Sequence, residues 1–316
     1  MYGSIRAGKG LNVTTDSNLE KLLRAGEFVV TAEVGPPKSA DRTVIDKKAS
    51  LLKGYADAFN VTDCQTSVVR MSSIAAAVML MEAGLEPVVQ MTCRDRNRIG
   101  MQSDILGAAA LGAKNLLCLT GDHPKFGDHP GAKPVFDLDS VQLLHMVKTM
   151  RDEKRLLSGT EIAVGPRLFL GAAENPFGGT IDIRARRLAK KIAVGAEFFQ
   201  TQIVYNVDRF AEWMKAVRDL GLHEKAFIIA GVSPPKSLGM VRYMQKNVPG
   251  MDVPDEIIAR MKEKKSKEEG IQICLDIIEQ VRQIDGVAGV HIMAIAWEEA
   301  VPEIVERSGL FPRPTP

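Results

Sequence analysis

The chain has 316 residues, 45% hydrophobic and 25% charged, and its 41 basic and 39 acidic side chains leave a formal net charge of +2. That is ordinary globular composition with enough length for a full core, and the balanced charge gives no broad electrostatic footprint for nucleic acid or an anionic membrane. No apolar stretch reaches the ~18 residues that span a bilayer, and MYGSIRAGKGLNV lacks the apolar block of a secretory leader. Four scattered cysteines (Cys64, Cys93, Cys118 and Cys274), none in a C-x-x-C pair, fit free thiols in a reducing cytoplasm better than a zinc or iron–sulfur site.

In chain order, residues 1–24 read as a polar lead-in with a short helix over Asn18–Arg24. The β-branched run FVVTAEV then stops at Gly35, Pro36 and Pro37, as a buried strand stops. From there strands and helices alternate. Helical patterns over Asp41–Gly54, Met71–Ala83, Gly100–Leu111 and Asp139–Arg151 separate apolar runs at Ala58–Thr62, Pro87–Cys93, Asn115–Thr120 and Arg167–Ala172. The Gly- and Pro-rich stretch DHPKFGDHPGAKP after Thr120 has the length of a functional loop. Further helices are predicted over Ile183–Val194, Asp208–Leu220, Ser237–Gln245, Pro254–Lys265, Glu268–Ile284 and Glu298–Ser308, with strands at Phe198–Val204, Ala226–Val232 and Gly289–Ile295. The tail FPRPTP reads as loosely held.

Eight apolar runs, each followed by a helical segment and each apolar on both faces, are the expected sequence of a (β/α)8 TIM barrel. One catalytic barrel over residues 25–312 with a tail at 313–316 is the resulting domain division. A doubly wound sheet is the alternative, but GPPKSAD stands where a dinucleotide-binding fold would carry G-x-G-x-x-G.

Barrel active sites lie at the C-terminal strand ends. Those ends carry Glu33, Thr62 with Asp63, Gln90 with Thr92, Gly121 with Asp122, Glu174 with Asn175, and Gln202. Thr, Asp and Asn at such places commonly cap the next helix, whereas Glu33 and Gln202 lie inside their strands, where capping explains them poorly. Glu33 fits either a strand-end ion pair or a buried functional acid, and the recurrence of polar groups at successive strand ends favours the acid. Absences narrow the chemistry further. No strand ends in the lysine of a Schiff-base aldolase, no strand carries H-x-H, and no serine sits in G-x-S-x-G. His123, Asp128 and His129 make only a weak metal cluster. Carboxylate acid–base chemistry with amides for recognition remains, on a rim deep enough for a planar cofactor.

The blocks VVTAEVGPP, FNVTDCQ, VVQMTCRDRNR, LLCLTGDHP with GAKPVFDLDS, LFLGAAENPFG, and AVGAEFFQTQIVYN followed by IIAGVSPPKS resemble the methylenetetrahydrofolate reductase family in order and spacing, from about Glu27 to Pro312. LTGDHP and GAEFFQTQ are the specific ones. The resemblance implies a cytoplasmic flavoprotein oxidoreductase of one-carbon metabolism, a (β/α)8 barrel that reduces 5,10-methylenetetrahydrofolate to 5-methyltetrahydrofolate. Carried over by position, it implies that Glu33 is the general acid for opening the folate's five-membered ring. Asp122 then lies near the flavin ring to favour a developing cation, and Gln202 reads the pterin. Thr62, Asp63, Gln90, Thr92, Thr120, Gly121, Asp122, Gly171, Asn175 and Lys191 fall where flavin contacts sit, Lys191 serving the phosphate.

The chain also departs from the family's better-known bacterial members. Gln90 and Asn175 replace histidines, Arg184 stands where an aspartate is usual, and Trp297 stands where an arginine is common. FMN is therefore an alternative to FAD. GAAENPFG resembles the branch from anaerobes, whose members can work beside an iron–sulfur partner subunit, so the electron donor implied is NAD(P)H or such a partner, in an oligomeric assembly. Two other functions stay open: a flavin-free, pterin-binding methyl-transfer barrel, and an accessory subunit of a redox complex.

Overall fold

The structure, a computed structural model, describes residues 14–315. Helix α1 (Asn18–Ala25) precedes β1 (Val29–Val34), α2 (Thr43–Leu52), β2 (Ala58–Val61), α3 (Ser73–Glu82), β3 (Pro87–Thr92) and α4 (Arg98–Ala110). Next come β4 (Asn115–Leu119), α5 (Ser140–Lys148), β5 (Phe169–Glu174), α6 (Ile181–Ala193), β6 (Phe198–Ile203) and α7 (Val207–Asp219). The chain continues through β7 (Phe227–Val232), α8 (Leu238–Asn247), α9 (Asp255–Lys264), α10 (Lys267–Val281), β8 (Val287–Ile292) and α11 (Ala300–Arg307). The eight strands pair in chain order, all parallel, and β1 closes on β8, with Val30 opposite Val290 and Thr31 opposite His291. This is the (β/α)8 barrel that the alternation predicts.

Local chemistry sets the helix starts. Asn97, Asn206, Ser237 and Ser266 each accept a hydrogen bond from the first turn of the helix they precede, and Asp139 with Gln142 forms a reciprocal capping box on α5. Two strands shift from their predicted places. β5 runs two residues past Ala172 to Glu174, and β8 begins at Val287 and ends before Met293. Around β8 apolar residues continue beyond the ladder, while β5 carries its ladder on to the charged Glu174, so hydrophobicity alone misplaces both ends.

The closed end of the barrel is a dry plug. Each strand sends one inward side chain to it: Val29, Ala58, Val88, Leu117, Phe169, Phe198, Ile229 and Ala288. Helix α1 lays Leu19, Leu22 and Leu23 across them, all 3% exposed or less. Burial of that order is worth about 1.5–3 kcal/mol for each large side chain. The amides of Asn18 and Leu19 donate to the Glu86 carboxylate at 2.7 and 2.9 Å, which fixes the start of α1 under the barrel.

The tail is held, contrary to the expectation from its composition. Arg313 pairs with the buried Asp57 at 2.7 Å and donates to the Phe28 carbonyl at 2.8 Å, at the foot of β1 and β2. A guanidinium can satisfy two acceptors at once, which a proline-rich tail gives no hint of.

Candidate active site

The opposite end is open. A cavity of about 460 Å³ lies among the C-terminal strand ends, within the size range of cofactor and substrate sites. The sequence-predicted residues Glu33, Gln90, Thr120, Asn175, Lys191 and Gln202 all line it.

Glu33 points inward because it follows Val29 and Thr31 at the two-residue period of a strand. Its carboxyl makes no hydrogen bond to another described residue. Its pKa is pushed up from the usual 4.5 to about 7, first by burial and then by the negative charge of Glu298, against the opposing pull of Lys48 and Arg70. Neither cation hydrogen-bonds to it. Lys48 is engaged by Glu298 and the Gly35 carbonyl, and Arg70 donates to the Pro36 carbonyl at 3.1 Å. The strand-end ion pair, one of the two readings of Glu33, is therefore not what the structure contains. The GPP turn takes the nearby cations instead and leaves the acid to the cavity.

Helix α6 gives the cavity a cationic wall. Lys191, 6% exposed, donates to Glu174 at 2.9 Å and to the Ala173 carbonyl at 2.5 Å. Arg184 stands 3.8 Å from the same carboxylate, and Arg187 also faces the cavity. Three cations against one carboxylate leave net positive charge, and among the described residues the buried Nε of Arg184 has no hydrogen-bond partner. An unpaired buried guanidinium N–H in a cationic wall suits a phosphate or diphosphate. The donors present therefore fit a flavin nucleotide.

Gln202 spends its side-chain oxygen on the Ile203 amide at 3.1 Å and leaves its NH2 without a partner among the described residues. Gln90 makes no side-chain hydrogen bond at all among them. Both amides are thus available to a ligand.

The other predicted site residues lie outside the cavity lining. Thr62 donates to Gln65 at 2.7 Å. The Asp63 carboxylate accepts from the Thr92 amide at 2.8 Å, the Thr92 hydroxyl at 2.9 Å and Arg96 at 2.8 Å, so Asp63 and Thr92 tie β2 to β3. Gly121 turns the chain at φ +91°, where an added Cβ would stand 3.0 Å from that of Thr92. Gly171 is required by packing, since its Cβ would fall 2.2 Å from the Phe198 ring, which stacks on Phe169 at 4.9 Å. Asp122 is exposed on the rim, its carbonyl held by Ser67 at 2.8 Å. His123 accepts from the Lys125 amide and His129 contacts Asp128; among the described residues no three His, Cys, Asp or Glu side chains converge as metal ligands would.

Beneath the mouth lies a polar layer that sequence reasoning missed. Asn60 and Gln200 exchange amide hydrogen bonds across the barrel, Gln200 donates to the Thr31 hydroxyl at 3.1 Å, and Thr31 contacts His291 Nδ1 at 2.9 Å. Gln200 and His291 form the cavity floor. A signal was available: Gln200 and Gln202 are two apart on one strand and so share a face.

A family model for methylenetetrahydrofolate reductase matches residues 18–309. A probable methylenetetrahydrofolate reductase (NADPH) of Caenorhabditis elegans is 23% identical over 252 residues, which are 77% of this chain and 35% of that protein. Methylenetetrahydrofolate reductase 2 of Schizosaccharomyces pombe is 26% identical over 260 residues, 76% of this chain and 38% of that protein. The chain thus spans little more than a third of the length of these curated relatives. Among solved structures, a Clostridium thermocellum protein described as binding two copies of 5-methyl-5,6,7,8-tetrahydrofolic acid superposes with a TM-score of 0.66 at 14% identity, covering 93% of this chain and 100% of that one. Riboflavin lyase superposes at 0.54 with 9% identity, covering 89% and 92%. These two likenesses speak to the fold alone. With a family model spanning nearly all the described residues, the chain belongs to the methylenetetrahydrofolate reductase family.

Proposed function

We propose that this barrel reduces 5,10-methylenetetrahydrofolate to 5-methyltetrahydrofolate with a bound flavin, and that residues 25–312 form one catalytic unit with α1 as its plug. The observation that carries the reading is Glu33, a carboxyl with no hydrogen-bond partner among the described residues that keeps its proton to about pH 7 inside the mouth cavity. Opening the folate's five-membered ring needs a proton on the departing amine, and a carboxyl poised near neutrality can give one and be recharged by solvent. Reduced flavin would supply the hydride taken up by the resulting iminium carbon. The NH2 groups of Gln202 and Gln90 suit the carbonyl and ring-nitrogen acceptors of pterin and flavin, and the α6 wall suits the phosphate. Asp122 acts only if its loop swings inward, where its charge would favour the cation. The solved neighbour that binds methyltetrahydrofolate and the reductase names of the curated relatives support this substrate.

The test is an anaerobic assay of flavin-loaded protein with methylenetetrahydrofolate, NADH, NADPH or a reduced viologen dye. Formation of methyltetrahydrofolate that Glu33→Gln lowers by about 10²-fold or more supports the reading. An unchanged Glu33→Gln rate refutes the acid. Turnover with the dye alone points to an iron–sulfur partner subunit as donor. Colourless protein that binds methyltetrahydrofolate but takes up no flavin favours the methyl-transfer alternative.

A further inference from the structure

The polar layer under the mouth has a direction. Asn60 and Gln200 hold each other reciprocally, so neither amide can flip alone, and in the orientation of the structure Gln200 Nε2 faces Thr31. Both protons of Gln200 Nε2 are then spent, one on Asn60 Oδ1 at 2.9 Å and one on Thr31 Oγ1 at 3.1 Å. Thr31 therefore receives a bond and still has its own hydroxyl proton to place. Among the described residues its one remaining polar neighbour is His291 Nδ1, at 2.9 Å. A hydroxyl that donates there finds a ring whose Nδ1 is bare, so the ring proton sits on Nε2.

The His291 ring is 3% exposed, and burial lowers its pKa from 6.5 to about 4, so it is uncharged at neutral pH. Nε2 bonds to no described residue, yet it is absent from the sealed atoms that lack a partner, and His291 lines the cavity. That nitrogen therefore opens on the cavity.

We infer that His291 is a fixed, neutral N–H donor in the cavity floor, oriented by Asn60, Gln200 and Thr31, and that it binds an acceptor atom of a planar heteroaromatic ring, a carbonyl oxygen or an unprotonated ring nitrogen. This rests on the mouth cavity being the flavin–folate site. It goes beyond that reading by assigning a ring-recognition role to a residue of β8 that carries no charge. Because the donor cannot become an acceptor without rebuilding the whole chain of bonds, the floor discriminates against a ring presenting N–H at that point.

Two measurements test it. In protein labelled with ¹⁵N-histidine, long-range proton–nitrogen spectra of the His291 ring should show the neutral Nε2–H form at neutral pH, and Thr31→Val should shift that population. An Nδ1–H ring or an imidazolium overturns the assignment. Fluorescence titration with riboflavin, which has no phosphate, and with 5-methyltetrahydrofolate should show His291→Leu weakening at least one of them by about tenfold, while His291→Gln, whose amide nitrogen lies near the position of Nε2, restores most of the loss. Leu and Gln variants that both bind like the wild type overturn ring recognition. If the unaltered protein binds neither probe, the flavin–folate reading and the ring recognition fall together, while the spectra still decide the orientation of the donor. Should His291→Leu not fold, Thr31→Val and His291→Gln carry both comparisons.

Discussion

Replacing Glu33 by Gln tests the buried acid without any substrate. The native carboxyl holds its proton to about 7, whereas in the unfolded chain it gives it up near the ordinary 4.5. Between those values the native state binds more protons than the unfolded state, so stability falls as pH rises, by about 1.4 kcal/mol per pH unit for this one group. Below 4.5 the stabilisation is fully present, and above about 7 it is gone. The whole window amounts to about 3 kcal/mol, and water in the cavity screens it to roughly 2 kcal/mol. The amide does not titrate. In urea unfolding, Glu33→Gln should therefore gain roughly 2 kcal/mol on the wild type between about pH 5 and about pH 8. A difference between the two proteins that does not change with pH would show that Glu33 is an ordinary solvated carboxylate, and the proposed acid would fall with it. The same protonation predicts that kcat/KM declines above about pH 7 as the acid form is lost, a limb absent from the residual activity of Glu33→Gln.

Three more outcomes follow from the geometry. Lys191→Met removes the cation nearest Glu174 and should weaken FMN by about tenfold while leaving riboflavin nearly unchanged, read by fluorescence quenching; equal effects on both would remove Lys191 from phosphate binding. Arg313→Met leaves the buried carboxylate of Asp57 with the Val30 amide but no cation and should cost about 3 kcal/mol in thermal or urea unfolding; a loss under about 0.5 kcal/mol would mean that the tail is ornamental. Gly171→Ala drives a methyl group toward the Phe198 ring and should destabilise by about 1–3 kcal/mol, so an unchanged midpoint would show that the ring has room to move.

The fold was legible because every strand is a compact apolar run punctuated by Gly, Pro or a capping residue, and that punctuation is local. The place of Glu33 in the cavity was legible too, from one charge in an otherwise apolar strand. What stayed hidden depends on partners far apart in the chain. Asp63 and Thr92 read as ligand contacts or helix caps, and only the adjacency of β2 and β3 reveals that they hold each other. Asn60, Gln200 and His291 each look like a stray polar residue in a strand, and the barrel must close before they meet. Arg313 sits in a composition that suggests looseness, yet one carboxylate 256 residues away holds it.

Both ends of the described chain leave from the plugged side of the molecule. Residues 14–18 run into α1, and Arg313 grips the foot of β1. A tether, tag or solid support attached there would face away from the entrance, so the molecule could be anchored by either end of the described chain with its mouth still open to solution.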